Sequence, residues 1–226
     1  MRIIEPSFNI LTEIDGNKIL KDLERAGRTC YQSQDNITDE SAKKFISSII
    51  KSEHFTILEH FSVSVKIICD RGILGELARH RLCSLSVEST RYNSYNKDKF
   101  NNELTFIKPF FFIDWCHNCG KPYCIYDCNI EEGKRYFIWK KAMKEAEDAY
   151  LELIKLGSTA EEARSVLPNS LKTEIIMTAN LREWRHIFNL RAIGTTGKPH
   201  PQAKEIMFPM LEEFKRKLPI IFDDIW

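Results

Sequence analysis

The chain has 226 residues, 43% of them hydrophobic and 29% charged, and its 33 Lys and Arg against 32 Asp and Glu leave a formal charge of +1. That length buries one substantial core, so a single domain over residues 1–226 is expected, and near-neutrality argues against nucleic-acid or membrane partners, so any anion site must be local. MRIIEPSFNI lacks the pattern of an export signal, no stretch reaches membrane-spanning length, and seven cysteines are an odd number for disulfides, so a cytoplasmic protein with free or metal-bound thiols is expected.

Residues 2–5 read as a short strand, and Asn17 to Ala26 as a helix with Ile19, Leu20 and Leu23 on one face, ending at Gly27. Thr38, before Asp39 and Glu40, reads as the N-cap of a second helix carrying Phe45, Ile46, Ile49 and Ile50. Phe61, Val63, Val65 and Ile67 alternate with Ser62, Ser64 and Lys66, the period of a strand with one buried face. From Gly72 a helical pattern sets Ile73, Leu74, Leu77 and Ala78 on one side and Glu76, Arg79 and His80 on another, which is expected to point away from the core.

Residues 103–110 read as a strand, and Lys134 to Leu156 as a long helix closed by Gly157. Ser158 and Glu161 form a capping-box pattern for a short helix that carries Arg164 and stops near Pro168. A mixed apolar stretch around Ile175 to Met177 leads to NLREWRHIFNLR, read as a helix, then to a Gly, Thr and Pro loop from Ile193 to Pro201 and a last amphipathic helix. Without repeats, and with more helices than strands, the chain reads as an α+β domain.

Residues 79–92, RHRLCSLSVESTRY, hold an Arg-His-Arg triplet, seven residues, Ser89, then Arg91 and Tyr92. Upstream lie HFTILEH, with Thr56, Glu59 and His60, and RTCYQS from Arg28; downstream come Arg164 in EARSVLP, Asn180, Arg182, His186 and Arg191 in NLR. This order of motifs, spanning about residues 20 to 215, resembles that of the flavin-dependent thymidylate synthases. The resemblance implies that family's fold, a small mixed or antiparallel sheet packed by several helices, with sites shared among the subunits of a homotetramer. It implies reductive methylation of dUMP, with methylenetetrahydrofolate as carbon donor, FAD as hydride carrier and NADPH as reductant.

The residue types suit those ligands, because a guanidinium forks onto phosphate or carbonyl oxygens and keeps its charge. By the resemblance, Arg191 is the catalytic residue that polarises the uracil, and Glu76, Arg79, Glu88, Ser89, Thr90, Arg91 and Arg164 join it in holding dUMP. The implied flavin contacts are Cys30, Thr56, Arg79, His80, Arg81, Leu82, Val87, Asn180, Arg182, His186 and His200. Arg, His, Asn and Thr supply the donors and charge that a pyrophosphate and a ring edge require. Where the family carries Asn-Glu this chain has Ser86 and Val87, with Glu88 one place later, and the stretch from Arg191 to His200 is longer than usual.

Cys83 lies near Arg79 and Arg81 and could serve as a thiolate nucleophile, but a lone cysteine in such a segment is more often buried and inert. At about residues 111–130 an insertion holds WCHNCGKPYCIYDC, spaced C-x2-C-x4-C-x3-C. Cys116, Cys119, Cys124 and Cys128, with His117 as a substitute, either close a tetrahedral zinc site or remain free thiols. Two other functions stay open at this point: a related flavin-dependent enzyme that modifies C5 of a pyrimidine nucleotide differently, and a zinc-knuckle nucleic-acid-binding protein using Tyr123 and Tyr126.

Overall fold

The computed structural model describes residues 1–95, 101–112 and 130–226, the first three of the last range by backbone alone. Cys116, His117, Cys119, Cys124 and Cys128, and with them the expected zinc site, lie outside the described residues.

In chain order the elements are β1 (Arg2–Ile4), β2 (Ser7–Ile10), α1 (Gly16–Thr29), α2 (Ser41–Lys51), β3 (Ser62–Asp70), α3 (Arg71–Leu77) and β4 (Cys83–Val87). There follow β5 (Thr105–Ile107), α4 (Ile130–Lys155), α5 (Ala160–Ala163), β6 (Lys172–Asn180), α6 (Leu181–Phe188), α7 (Pro201–Lys217) and α8 (Pro219–Phe222). Short 3-10 segments cover Gln34–Asn36, Phe55–His60 and Arg164–Val166, and a π-helical turn covers Asn189–Ile193. Helix and strand mix as the α+β expectation requires. Among the described residues no helix is long and apolar enough to cross a membrane.

One compact unit comprises Met1–Pro6, Ile68–Gly75 and Val87–Glu174. Here β1 pairs in parallel with β5, Arg2 opposite Thr105 and Ile4 opposite Ile107. Leu104, Phe106 and Leu171 pack with Tyr136, Trp139, Met143 and Tyr150 of α4 into an aromatic core. The buried Glu147 of α4 accepts from the Leu104 backbone N–H at 2.8 Å, which pins the start of β5 to that helix.

The other unit comprises Ser7–Ile67, Glu76–Ser86 and Ile175–Trp226. The four-stranded sheet runs β2-β3-β6-β4. Val63, Val65 and Ile67 of β3 are all fully buried, as their alternation requires. Trp184, Phe188, Phe214 and Phe222 stack together from α6, α7 and α8, and the Trp184 indole N–H donates to the Val63 carbonyl at 3.0 Å. Arg185 forks onto Asp224 at 2.6 and 2.7 Å and lies over the Phe55 ring.

Several sequence expectations need correction. Helix α1 runs through Gly27 to Thr29, because this glycine is a contact surface and no terminator: a Cβ there would sit 2.6 Å from the Phe45 ring. Helix α2 starts at Ser41 and not beside Thr38, since the Ser41 hydroxyl bonds back to Thr38 and also donates to Glu24. The capping box of α5 is Thr159 with Glu162, one residue past the expected pair. The charged face of the helix from Gly72 does not all point away from the core, because α3 stops at Leu77 and the following turn buries His80.

Candidate active site

Three local structures in the second of these units build one cavity. The turn after α3 carries Arg79, His80, Arg81 and Leu82; α6 carries Arg182, Glu183, Arg185 and His186, with Asn180 at its N-cap; the π turn carries Asn189, Leu190 and Arg191. Phe55 and Glu59 complete the lining of a cavity of about 800 Å3. That is room for a large cofactor or a nucleotide.

Helix α6 begins where it does because the Asn180 side chain accepts from the Glu183 N–H at 2.8 Å. That bond uses the amide oxygen and leaves the Asn180 NH2 as a donor. The helix then widens at Asn189 into the π turn, a distortion frequent at functional sites, and closes on Gly194 at φ 89°. Only glycine suits that closure, since a Cβ would lie 2.6 Å from Pro199 Cδ and 2.7 Å from the Gly197 carbonyl.

Three hydrogen bonds fix the Arg191 guanidinium. Its Nη1 donates to Glu76 Oε2 at 2.8 Å, its Nη2 to the Glu76 carbonyl at 3.3 Å and its Nε to His80 Nε2 at 3.2 Å. An arginine has only donors, so His80 Nε2 must be the accepting nitrogen and the neutral ring carries its proton on Nδ1. Burial first, then Arg191 and His186, push the His80 pKa down to about 4. Across neutral pH the ring is therefore uncharged.

Five arginines and two glutamates line the cavity. Arg182 pairs with Glu59 at 2.6 Å, Arg185 with Asp224, and Arg191 with Glu76. Arg79 and Arg81 have no ion-pair partner among the described residues, so their charge is available to a bound anion such as a pyrophosphate. His80, Glu183 and His186 bring ligand-type atoms within 4.8 Å of one another. With one His80 nitrogen accepting from a guanidinium, this donor set suits hydrogen bonding better than a cation.

Of the expected flavin contacts, Arg79, His80, Arg81, Leu82, Asn180, Arg182 and His186 line the cavity, whereas Cys30, Thr56, Val87 and His200 do not. Cys30 follows α1 as its C-cap, and His200 caps α7, its Nδ1 accepting from the Gln202 N–H at 3.3 Å. Of the expected nucleotide contacts, Arg79 and Arg191 are in the lining. Glu76 is engaged by Arg191.

Glu88, Ser89, Thr90, Arg91 and Arg164 belong to the other unit. There the Glu88 carboxylate accepts from Lys172 Nζ at 3.1 Å and from the Tyr95 hydroxyl at 3.4 Å. Burial and the Glu88 charge push the Tyr95 pKa up, so that hydroxyl stays a donor. Arg91 forks onto Glu161 at 2.9 and 3.2 Å, both side chains about half exposed. Ser89 accepts from the Arg91 N–H and Thr90 is buried, while Arg164 is exposed at the start of its 3-10 turn.

The thiol of Cys83 donates to the His80 carbonyl, and burial together with Glu183 raises its pKa. A protonated, hydrogen-bonded thiol is a poor nucleophile. Sequence reasoning singled out neither Phe55, Glu183 nor Arg185 for this site. For Glu183 the available signal was its spacing of three from His186, which brings the two side chains to one face of the helix.

The family model described as thymidylate synthase complementing protein matches residues 14–220. The flavin-dependent thymidylate synthase of Pyrococcus furiosus is 31% identical over 192 residues, covering 84% of this chain and 70% of that one. Its counterpart in Geobacter sulfurreducens is 30% identical over 206 residues, 88% of this chain and 78% of the relative. The crystal structure of a UMP/dUMP methylase, PolB from Streptomyces cacaoi, bound with 5-Br dUMP, superposes with a TM-score of 0.77 at 20% identity, covering 99% of this chain and 96% of that one. PolB and this chain thus share a fold. The family match over nearly the whole length, and these identities, show that the chain belongs to the thymidylate synthase complementing family, that of the flavin-dependent thymidylate synthases.

Proposed function

We propose that this chain converts dUMP, methylenetetrahydrofolate, NADPH and a proton into dTMP, tetrahydrofolate and NADP+, with bound FAD as the hydride carrier. The observation that carries the proposal is the anchored Arg191 guanidinium, held by Glu76 and the neutral His80 at the edge of a cavity rich in positive charge. Relatives named as flavin-dependent thymidylate synthases support the activity.

The donor set fits a flavin. Arg79 and Arg81 would hold the pyrophosphate, and Asn180, Arg182 and His186 would meet the ring edge, with Leu82 as an apolar contact. Bound FAD would supply the hydride that completes the methyl group. Cys30, Thr56, Val87 and His200 would make flavin contacts beyond this cavity. The enzyme so proposed is a cytoplasmic homotetramer, with residues 1–226 acting as one domain.

Arg191 would act on the uracil. A fixed guanidinium at a carbonyl stabilises negative charge on the ring, so that C5 becomes nucleophilic towards the one-carbon unit. Because Glu76 and His80 orient it beforehand, no reorganisation is required as charge develops. Ser89, Thr90, Arg91 and Arg164 would grip the nucleotide, with Glu88 as the acidic partner. The exposed Arg91–Glu161 pair is worth at most about 1 kcal/mol, so a phosphate dianion can take its place.

The test is anaerobic incubation of the FAD-loaded protein with dUMP, methylenetetrahydrofolate and NADPH, followed by mass identification of the nucleotide. Production of dTMP is expected. Unchanged dUMP, or a nucleotide with a different C5 group, would overturn the proposal.

A further inference from the structure

Glu183 is a carboxylate that the mechanism above does not use, although it lines the same cavity. Its side chain is only 8% exposed, and its Oε1 lies 3.5 Å from His80 Nδ1. No side-chain hydrogen bond of Glu183 occurs among the described residues, and with His80 neutral this contact is not an ion pair. A buried carboxylate normally has a partner, because losing water without one is costly. Burial raises the Glu183 pKa, partly offset by His186 and Arg182.

The two neighbours of the His80 ring select the same tautomer. Arg191 Nε can only donate, so it requires a lone pair on Nε2; Glu183, when ionised, can only accept, so it requires a proton on Nδ1. The other neutral tautomer would set an N–H against a guanidinium and a lone pair against a carboxylate. At 3.5 Å the Glu183 contact is a long one, and it therefore biases the tautomer more than it locks the ring. The ring plane is steadied by its edge contact with His186, at 5.9 Å between centroids.

We propose that Glu183 is a positioning residue for Arg191, acting through His80: it keeps the ring proton on Nδ1, so that Nε2 stays free to accept from Arg191 Nε and the guanidinium holds its orientation. An acidic residue in the first turn also complements the dipole of α6, but that role needs neither burial nor a facing imidazole. The inference rests on the proposed action of Arg191 at the uracil, yet its main test needs no turnover.

The experiment is nitrogen-15 NMR of histidine-labelled full-length protein without substrate, with the His80 signals assigned from a His80→Gln sample. Wild type should show His80 protonated on Nδ1 at neutral pH, Glu183→Gln should keep that tautomer because its amide oxygen still accepts, and Glu183→Leu should show a mixture. In turnover, Glu183→Leu should lose about 10- to 100-fold in kcat, by analogy with the loss of a hydrogen-bond partner that orients a metal-ligating histidine. Its KM for dUMP should change much less, and Glu183→Gln should restore most of the rate. An Nε2–H tautomer in wild type, a reading that needs no variant to fold, would overturn the inference, as would a wild-type tautomer population in Glu183→Leu. Failure of the proposed function would look different: no dTMP from wild type, with the tautomers as expected.

Discussion

Arg191 and Glu76 are joined twice, by the guanidinium Nη1 to the carboxylate at 2.8 Å and by Nη2 to the Glu76 main-chain carbonyl at 3.3 Å. The second bond ties the orientation of Arg191 to the backbone at the end of α3. Glu76→Ala removes the side-chain bond and keeps the backbone one. A charge-assisted hydrogen bond contributes roughly 1.5–3 kcal/mol, so turnover should fall about 10- to 100-fold. Steady-state kinetics with dUMP checks this, and an unchanged kcat would mean that Arg191 is oriented without Glu76.

Gly194 ends the π turn that carries Arg191. Gly194→Ala would require a side chain at φ 89° and would press its Cβ against Pro199 and the Gly197 carbonyl. Strain and overpacking of this kind cost about 2–4 kcal/mol together. Urea denaturation should show that loss. Turnover should fall as well, because Gly194 is three residues from Arg191 and closes the turn that carries it.

The pH dependence follows from His80. Its pKa is about 4 in the folded protein against an ordinary 6.5. Between those values the unfolded chain binds more protons, so the contribution of neutral His80 to stability is complete above about pH 6.5 and is lost as the pH falls towards 4. Glu183 works in the opposite sense: its raised pKa favours the fold at low pH, and that contribution is lost as the pH rises through the folded value. Stability measured by urea between pH 6.5 and 4.5 should therefore fall more steeply in wild type than in His80→Gln. Equal slopes would contradict a neutral, buried His80.

Much of this was legible in the sequence because local pattern and tertiary burial agree. In β3 every second residue is apolar and buried, and α1 shows its apolar face plainly. Where two registers satisfy the same rule, sequence cannot choose: Ser158 with Glu161 and Thr159 with Glu162 both spell a capping box, and only the chain path selects Thr159. Strand β6 is not legible because Ile175, Ile176 and Met177 are consecutive, which masks the alternation of buried Thr173, Ile175, Met177 and Ala179. Strand β4 carries no fully buried side chain, so no stripe marks it.

Arg79, Arg81, Arg182 and Arg191 of the cavity are legible by motif, whereas Arg185, and the roles of Glu76 and His80 in holding Arg191, are not. Glu183 looks like an ordinary first-turn acid, and its burial depends on Trp184, Ile187 and Phe188 turning most of α6 inward. His80 looked like part of a solvated face. Its burial depends on α3 ending at Leu77, a boundary that no glycine or proline announces.

Whether the Arg191 guanidinium drives the chemistry on the uracil is read from dTMP formation by wild type and Arg191→Ala, both FAD-loaded and compared under anaerobic single-turnover conditions. Losing a charged transition-state donor costs at least about 10^2-fold in rate, so the variant should form essentially no dTMP while keeping the far-UV circular dichroism of the wild type. A folded Arg191→Ala protein that makes dTMP at close to the wild-type rate would contradict the account.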